Sequence, residues 1–151
     1  MNSSRKLIFI TSLERSGSTL LDVTLGRHQQ LISFGEVARV LLPHDGKGML
    51  GVIDRPCSCG KTVSTCPFWG TVTARIQNNE TSLSLRDRYI IFLECFEQCY
   101  GNESIPVDSS KFIDALDAVQ TIDHLDLRVL FTIRDVRGWM SSSRKASLRK
   151  R

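Results

Sequence analysis

Three segments of the chain carry residue types suited to holding an anion. The first is Ser12-Leu-Glu-Arg-Ser-Gly-Ser-Thr19, polar and rich in small residues. It follows the apolar run Lys6-Leu-Ile-Phe-Ile-Thr11, which reads as a buried strand, and it leads into a helix predicted over 19–26. A strand, a small-residue loop and a helix form a phosphate cradle, because loop amides and a helix N-terminus aim partial positive charge at one point. Against the ATP-binding pattern G-x-x-x-x-G-K-[ST], Ser12 takes the first Gly, Gly17 the second, Ser18 the Lys and Thr19 the Ser/Thr. A Ser in the Lys position cannot neutralise a triphosphate. Arg15 instead brings a forked cation to another part of the loop, where it suits phosphate or sulfate oxygens. The loop points to an anion other than ATP·Mg²⁺. The competing reading is an ordinary β–α turn using Gly and Ser for flexibility.

The second segment is Arg134-Asp-Val-Arg-Gly-Trp-Met-Ser-Ser142, after the run Leu127-Arg-Val-Leu-Phe-Thr-Ile133, the clearest strand in the chain. An Arg at a strand's carboxyl end stands at the edge where open α/β sheets take ligands. Ser142 follows roughly two helical turns later. A phosphate held by an Arg and a hydroxyl fits, and so does a solvated basic helix start. The third segment, Val107-Asp-Ser-Ser-Lys111, ends another strand with hydroxyls and an ammonium. Its plainer reading is a helix N-cap at Ser110, with a surface Lys and a helix running to about Ile122. Three anion-suited strand ends on one sheet edge are far less probable by chance than any one.

The elements that must position these groups alternate strand and helix. Further helices are expected over 36–42, 68–77 and 83–100, the last burying Ile90, Ile91, Leu93 and Phe96. Leu20, Leu21, Val23 and Leu25 give the first helix its apolar body. Residues 44–67, rich in Gly, Pro and Cys, read as an irregular excursion. The pattern predicts one α/β domain with a parallel sheet of three strands and flanking helices, incomplete at its C-terminal end. An incomplete sheet leaves an exposed edge, which offers a route to self-association.

Composition narrows the classes. The 151 residues, 41% apolar and 24% charged, suit one globular domain and exclude a collagen-like or wholly disordered chain. No run approaches the ~20 apolar residues of a membrane span. The start of the chain lacks the apolar core of a signal peptide, so a cytoplasmic location is expected. The net charge of +4 comes from a basic tail over 144–151, beginning at Arg144 and Lys145. Without it the body is near neutral, which gives no case for nucleic-acid binding.

Taken together these segments resemble the sulfotransferases that use 3′-phosphoadenosine 5′-phosphosulfate (PAPS), above all the bacterial and Golgi-type, tyrosylprotein-like branches. The resemblance rests on Arg15-Ser-Gly-Ser-Thr-Leu-Leu21, Phe34-Gly-Glu36, Cys57-Ser-Cys-Gly60 with Cys66-Pro-Phe-Trp69, Val107-Asp-Ser-Ser-Lys111, and Arg134-Asp-Val-Arg137 through Ser142, in the family's order. It implies a P-loop-like fold and PAPS as co-substrate. Arg15, Ser16, Gly17, Ser18 and Thr19 would hold the 5′-phosphosulfate, and Arg134 and Ser142 the 3′-phosphate. Lys111 would sit near the transferring group. Glu36 matches the acidic residue thought to act as general base. Ser12 stands where a Gly is usual, and Val136 where a Pro is usual. Members are longer, so the chain is expected to be an N-terminal portion.

Sulfuryl transfer would rest on positioning and charge stabilisation, as phosphoryl transfer does. Glu36 would take the acceptor's proton. Arg15, Lys111 and the loop amides would stabilise charge on the leaving bisphosphate. Glu36 also has a plainer role, an acidic residue favourable to a helix dipole. No metal is expected, and the acceptor is an unidentified hydroxyl or amine. The alternatives are a non-catalytic anion-binding module, whether truncated or regulatory, and a small-molecule kinase, which the missing Lys disfavours. His28, His44 and His124 read as exposed or capping residues. The five cysteines are an odd number and are expected to stay reduced. Cys57, Cys59 and Cys66 could give three thiolates to zinc, but no fourth ligand is evident and the spacing is not the paired C-x₂-C form. Small apolar residues around an irregular loop, with a redox-sensitive pair, are the preferred reading. Phe68 and Trp69 read as core anchors.

Overall fold

A computed structural model describes residues 4–42, 55–79 and 82–148. Its centre is a four-stranded, all-parallel sheet. The strands are β1 (Arg5–Ser12), β2 (Leu31–Ser33), β3 (Ile105–Asp108) and β4 (Leu125–Thr132), in the order β2-β3-β1-β4. The helices are α1 (Ser18–Leu25), α2 (Ala38–Leu41), α3 (Pro67–Gln77), α4 (Leu85–Tyr100), α5 (Ile113–Gln120) and α6 (Val136–Leu148). The α/β class and the parallel sheet agree with the sequence reading. The strand count does not. β2 has only three residues, too few for any alternation to register, and it is held by pairing Leu31, Ile32 and Ser33 with Ile105, Pro106 and Val107.

Strand alternation divides the core. Leu7 and Phe9 of β1 are fully buried in a cluster with Val37, just ahead of α2, and with Leu41, Phe68, Trp69, Tyr89 and Phe92, supplied by α2, α3 and α4. Phe34 joins Phe68, Trp69, Phe92, Phe96 and Tyr100 in an aromatic group with centroid separations of 4.7 to 6.1 Å. The core role expected of Phe68 and Trp69 is met. Ile10 and Val107 lie on the opposite face of the sheet, where α1 packs.

Three local features differ from the sequence reading. The buried residues of α1 are Ser18 and Asp22, while Leu20 and Val23 are exposed. Asp22 is turned inward by Ser33, whose hydroxyl donates to its Oδ2 at 2.8 Å. Ser110 does not cap α5, which begins at Ile113 after Phe112. The Ser110 hydroxyl is taken by the backbone of α2 instead. The basic segment is not wholly a tail, because α6 carries helical backbone through Leu148. Residues 43–54, including His44, lie outside the described residues, as do 149–151. No helix among the described residues is long and apolar enough to cross a membrane.

Candidate functional site

All four strands end at one edge of the sheet, and the candidate residues gather there. The β1–α1 loop turns sharply. Arg15 (φ 66°) and Gly17 (φ 91°) both lie in the left-handed region, the latter at no steric cost. Gly17 precedes α1, and no side chain caps that helix end. Its first amides are therefore free of side-chain acceptors and suit an anion. Ser12 Oγ and Thr132 Oγ1, paired in register at the ends of β1 and β4, are buried without a hydrogen-bond partner.

The start of α6 braces this loop. Arg134 Nη1 donates to the Arg15 carbonyl at 3.0 Å, and Trp139 Nε1 donates to the Glu14 carbonyl at 2.7 Å. Asp135 accepts from the Arg137 amide and side chain at 2.9 and 3.0 Å. Arg137 is thereby paired, and its guanidinium holds the Asp135 carboxyl below its ordinary range. Among the described residues no carboxylate pairs with Arg134. Ser142 lies further along α6, half-buried. A recess of about 230 Å³ lies beside the loop, walled by Leu13, Ser16, Phe131, Ile133, Arg134 and Trp139.

On the other side of β1, Lys111 Nζ donates to Glu36 Oε1 at 2.9 Å. Glu36 Oε2 is ion-paired with Arg39. Lys111 is itself in a left-handed conformation (φ 62°), as is Gly35 beside Glu36 (φ 67°). The two turns are locked by Asp108, which is fully buried. Asp108 Oδ2 accepts from the Tyr89 hydroxyl at 2.7 Å. Its Oδ1 accepts from the Val37 amide at 3.2 Å, the Ser110 amide at 2.8 Å and the Ser110 hydroxyl. Ser110 Oγ in turn accepts from the Ala38 amide at 2.8 Å. Burial raises the Asp108 carboxyl to about 6, against the lowering effect of its donors. Burial also raises Asp22, which feels both Lys111 and Glu36. A cleft of about 390 Å³ opens nearby, lined by Asp22, Ser33, Gly35, Arg39, Cys57 and Trp69.

The structure thus joins Glu36 with Lys111 and Arg15 with Arg134, and sets both pairs along one edge. Glu36 precedes α2 rather than standing in its first turn. His28 Nδ1 accepts from the Gln30 amide at 3.2 Å, a local turn role. Asp22, Arg39, Asp108 and Trp139 were not singled out from sequence. Arg39 carried a local signal, its i,i+3 spacing from Glu36. Comparison with protein-family models, with curated proteins and with solved structures finds no match to this chain.

Proposed function

We propose that the chain is a PAPS-dependent sulfotransferase domain and that its β1–α1 loop is a P-loop-like anion cradle. The observation that carries this reading is the Lys111–Glu36 pair at 2.9 Å, set on the same sheet edge as the Arg134-braced loop. PAPS brings the sulfuryl group and a stable bisphosphate leaving group. Arg15, Ser16, Gly17, Ser18 and Thr19 would bind its 5′ end, and Arg134 with Ser142 its 3′-phosphate. The free amides of α1 and the unpartnered Ser12 and Thr132 hydroxyls favour an anion at the loop.

Lys111 places positive charge where the leaving oxygen gains negative charge. Glu36 takes the acceptor's proton on a carboxylate oxygen. Oε2 is the oxygen to free, because its partner Arg39 is half exposed and water can replace the carboxylate there. The cleft beside Gly35 and Arg39 offers room for a hydroxyl or amine acceptor. One observation favours a second reading. Both Glu36 oxygens are neutralised by cations, which suits a module that binds the nucleotide without transferring from it.

Calorimetric titration with adenosine 3′,5′-bisphosphate, against ATP·Mg²⁺, tests the cofactor site. The bisphosphate should bind preferentially. Arg134→Ala should weaken binding by roughly 1.5–3 kcal/mol, the range for a hydrogen bond to a charged group. Preference for ATP·Mg²⁺ would overturn the reading in favour of a kinase. PAPS turnover with a panel of phenols, sugars and amines then separates the two readings. Glu36→Gln should lower kcat by about 10²–10⁴ without changing bisphosphate affinity. Binding without turnover would leave the non-catalytic module.

A further inference from the structure

Cys57, Cys59 and Cys66 take no part in the sulfuryl chemistry proposed for Lys111 and Glu36, although Cys57 lines the cleft beside Arg39, and their sulfurs all lie within 4.8 Å of one another. Two structures bring them together. The first is a small hairpin turn. Pro56 bridges Thr62, the Cys57 amide donates to the Lys61 carbonyl at 2.7 Å, and the Gly60 amide donates to the Cys57 carbonyl at 3.0 Å. Gly60 at φ 83° closes the turn, a conformation that suits glycine. Cys57 and Cys59 are thereby held on one short knuckle. The second is the start of α3. The Cys66 amide donates to the Thr62 carbonyl at 2.8 Å, which ties the third cysteine to the same hairpin.

One of the sulfurs is also approached by a backbone donor. Cys66 Sγ accepts from the Trp69 amide at 3.5 Å as the N-cap of α3. An amide aimed at sulfur stabilises thiolate, the form that binds metal. The set runs from exposed Cys59 through Cys57 to buried Cys66, so an ion has a path inward.

We propose that Cys57, Cys59 and Cys66 form a three-thiolate zinc site that pins the hairpin to the start of α3. Zn–S bonds of about 2.3 Å in tetrahedral geometry put sulfurs about 3.8 Å apart, so the cluster needs only a small contraction. Three S–Zn bonds form as three S–H protons pass to solvent. The fourth tetrahedral position goes to water. A disulfide could join only two of the three sulfurs. Gly70 on α3 supports the same arrangement: a Cβ there would lie 2.6 Å from the Ser64 carbonyl, so the hairpin-to-helix loop packs directly on the helix.

The test uses the full chain, reduced and kept anaerobic, with five titratable thiols verified beforehand. Titration with Co²⁺ should give one equivalent of thiolate-to-cobalt charge-transfer absorption, which Zn²⁺ then displaces. Cys59 is exposed, so Cys59→Ser spares the core. It should weaken zinc affinity beyond the ~10–100-fold that loss of an outer-shell partner costs. Cys99→Ser, on α4 and exposed, should leave the titration unchanged. Absence of the charge-transfer band in the fully reduced wild-type chain would overturn the proposal. So would a band that survives Cys59→Ser at full strength or is lost in Cys99→Ser. These readouts do not depend on nucleotide binding or on sulfuryl transfer.

Discussion

The two flanks of β1 are built differently. On one side, β3 and β2 are overlaid by α2, α3 and α4, and the apolar residues they contribute are buried. Asp108 there is fully satisfied, accepting from Val37, Ser110 and Tyr89 at once, whereas Asp22 Oδ1, beside Ser33 of β2, is buried without a partner. On the other side, β4 pairs with β1 along eight residues, yet Val129, Leu130 and Phe131 remain exposed. Leu13, Ile133, Val136 and Met140 add to this uncovered apolar surface. The Glu36–Lys111 pair belongs to the packed flank, and the Arg15–Arg134 pair to the open one. The first pair is therefore held in fixed geometry by the core, while the Arg15 and Arg134 cations stand near solvent.

The largest contrast should come from aromatic truncation on each flank. Phe92 is fully buried and touches Phe34, Phe68, Trp69 and Tyr89. Phe92→Ala should cost about 3–5 kcal/mol in denaturant unfolding, the range for emptying such a site. Phe131 is 62% exposed, and Phe131→Ala should change stability by less than about 0.5 kcal/mol. A large loss at Phe131 would mean that the open flank is covered in solution.

The packed flank should also carry a pH signature. Asp108 has a folded value of about 6 against an ordinary 3.8. Between these values the folded chain keeps the proton longer than the unfolded chain does. Stability from this group is then fully present below about pH 3.8 and is lost as pH rises through about 6. Asp108→Asn keeps an acceptor for the Val37 and Ser110 amides and should remove that part of the slope. Urea midpoints measured across this window decide it. An unchanged slope in Asp108→Asn would assign the effect to Asp22, which is also raised.

Legibility in the sequence follows the same division. α4 is plain because its apolar residues recur at helical spacing, and the Ser84–Asp87 capping box marks its start. β1, β3 and β4 are plain because short apolar runs end in polar residues. What is hidden depends on partners far along the chain. The Ser110 hydroxyl serves Ala38, 72 residues away, so a local reading makes it a cap. The Glu36–Lys111 contact spans 75 residues and enters the sequence reading only through family resemblance. α1 misleads because composition favours burying Leu20 and Val23, whereas Ser33 draws Asp22 inward. The cysteines look unsuited to a metal by spacing alone, because the hairpin between Pro56 and Thr62 is what gathers them.

The smallest expected effect concerns how the open flank aims its cation. A Cβ on Gly138 would lie 3.1 Å from Arg134 Nε and 3.7 Å from its Nη2. The Arg134 side chain therefore lies against the α6 backbone at Gly138 while it reaches the Arg15 carbonyl. Gly138→Ala gains helix propensity of up to about 1 kcal/mol but pushes the guanidinium aside. Because that side chain is exposed and can move, thermal stability should hold or rise slightly. Bisphosphate affinity should fall by roughly 0.5–1.5 kcal/mol, the net contribution of one hydrogen bond. Unchanged affinity with raised stability would show that Arg134 meets its ligand from more than one position, and that the Arg15 contact serves the loop rather than the anion. A fall in both would instead make the close approach at Gly138 the contact that docks α6 against the sheet edge.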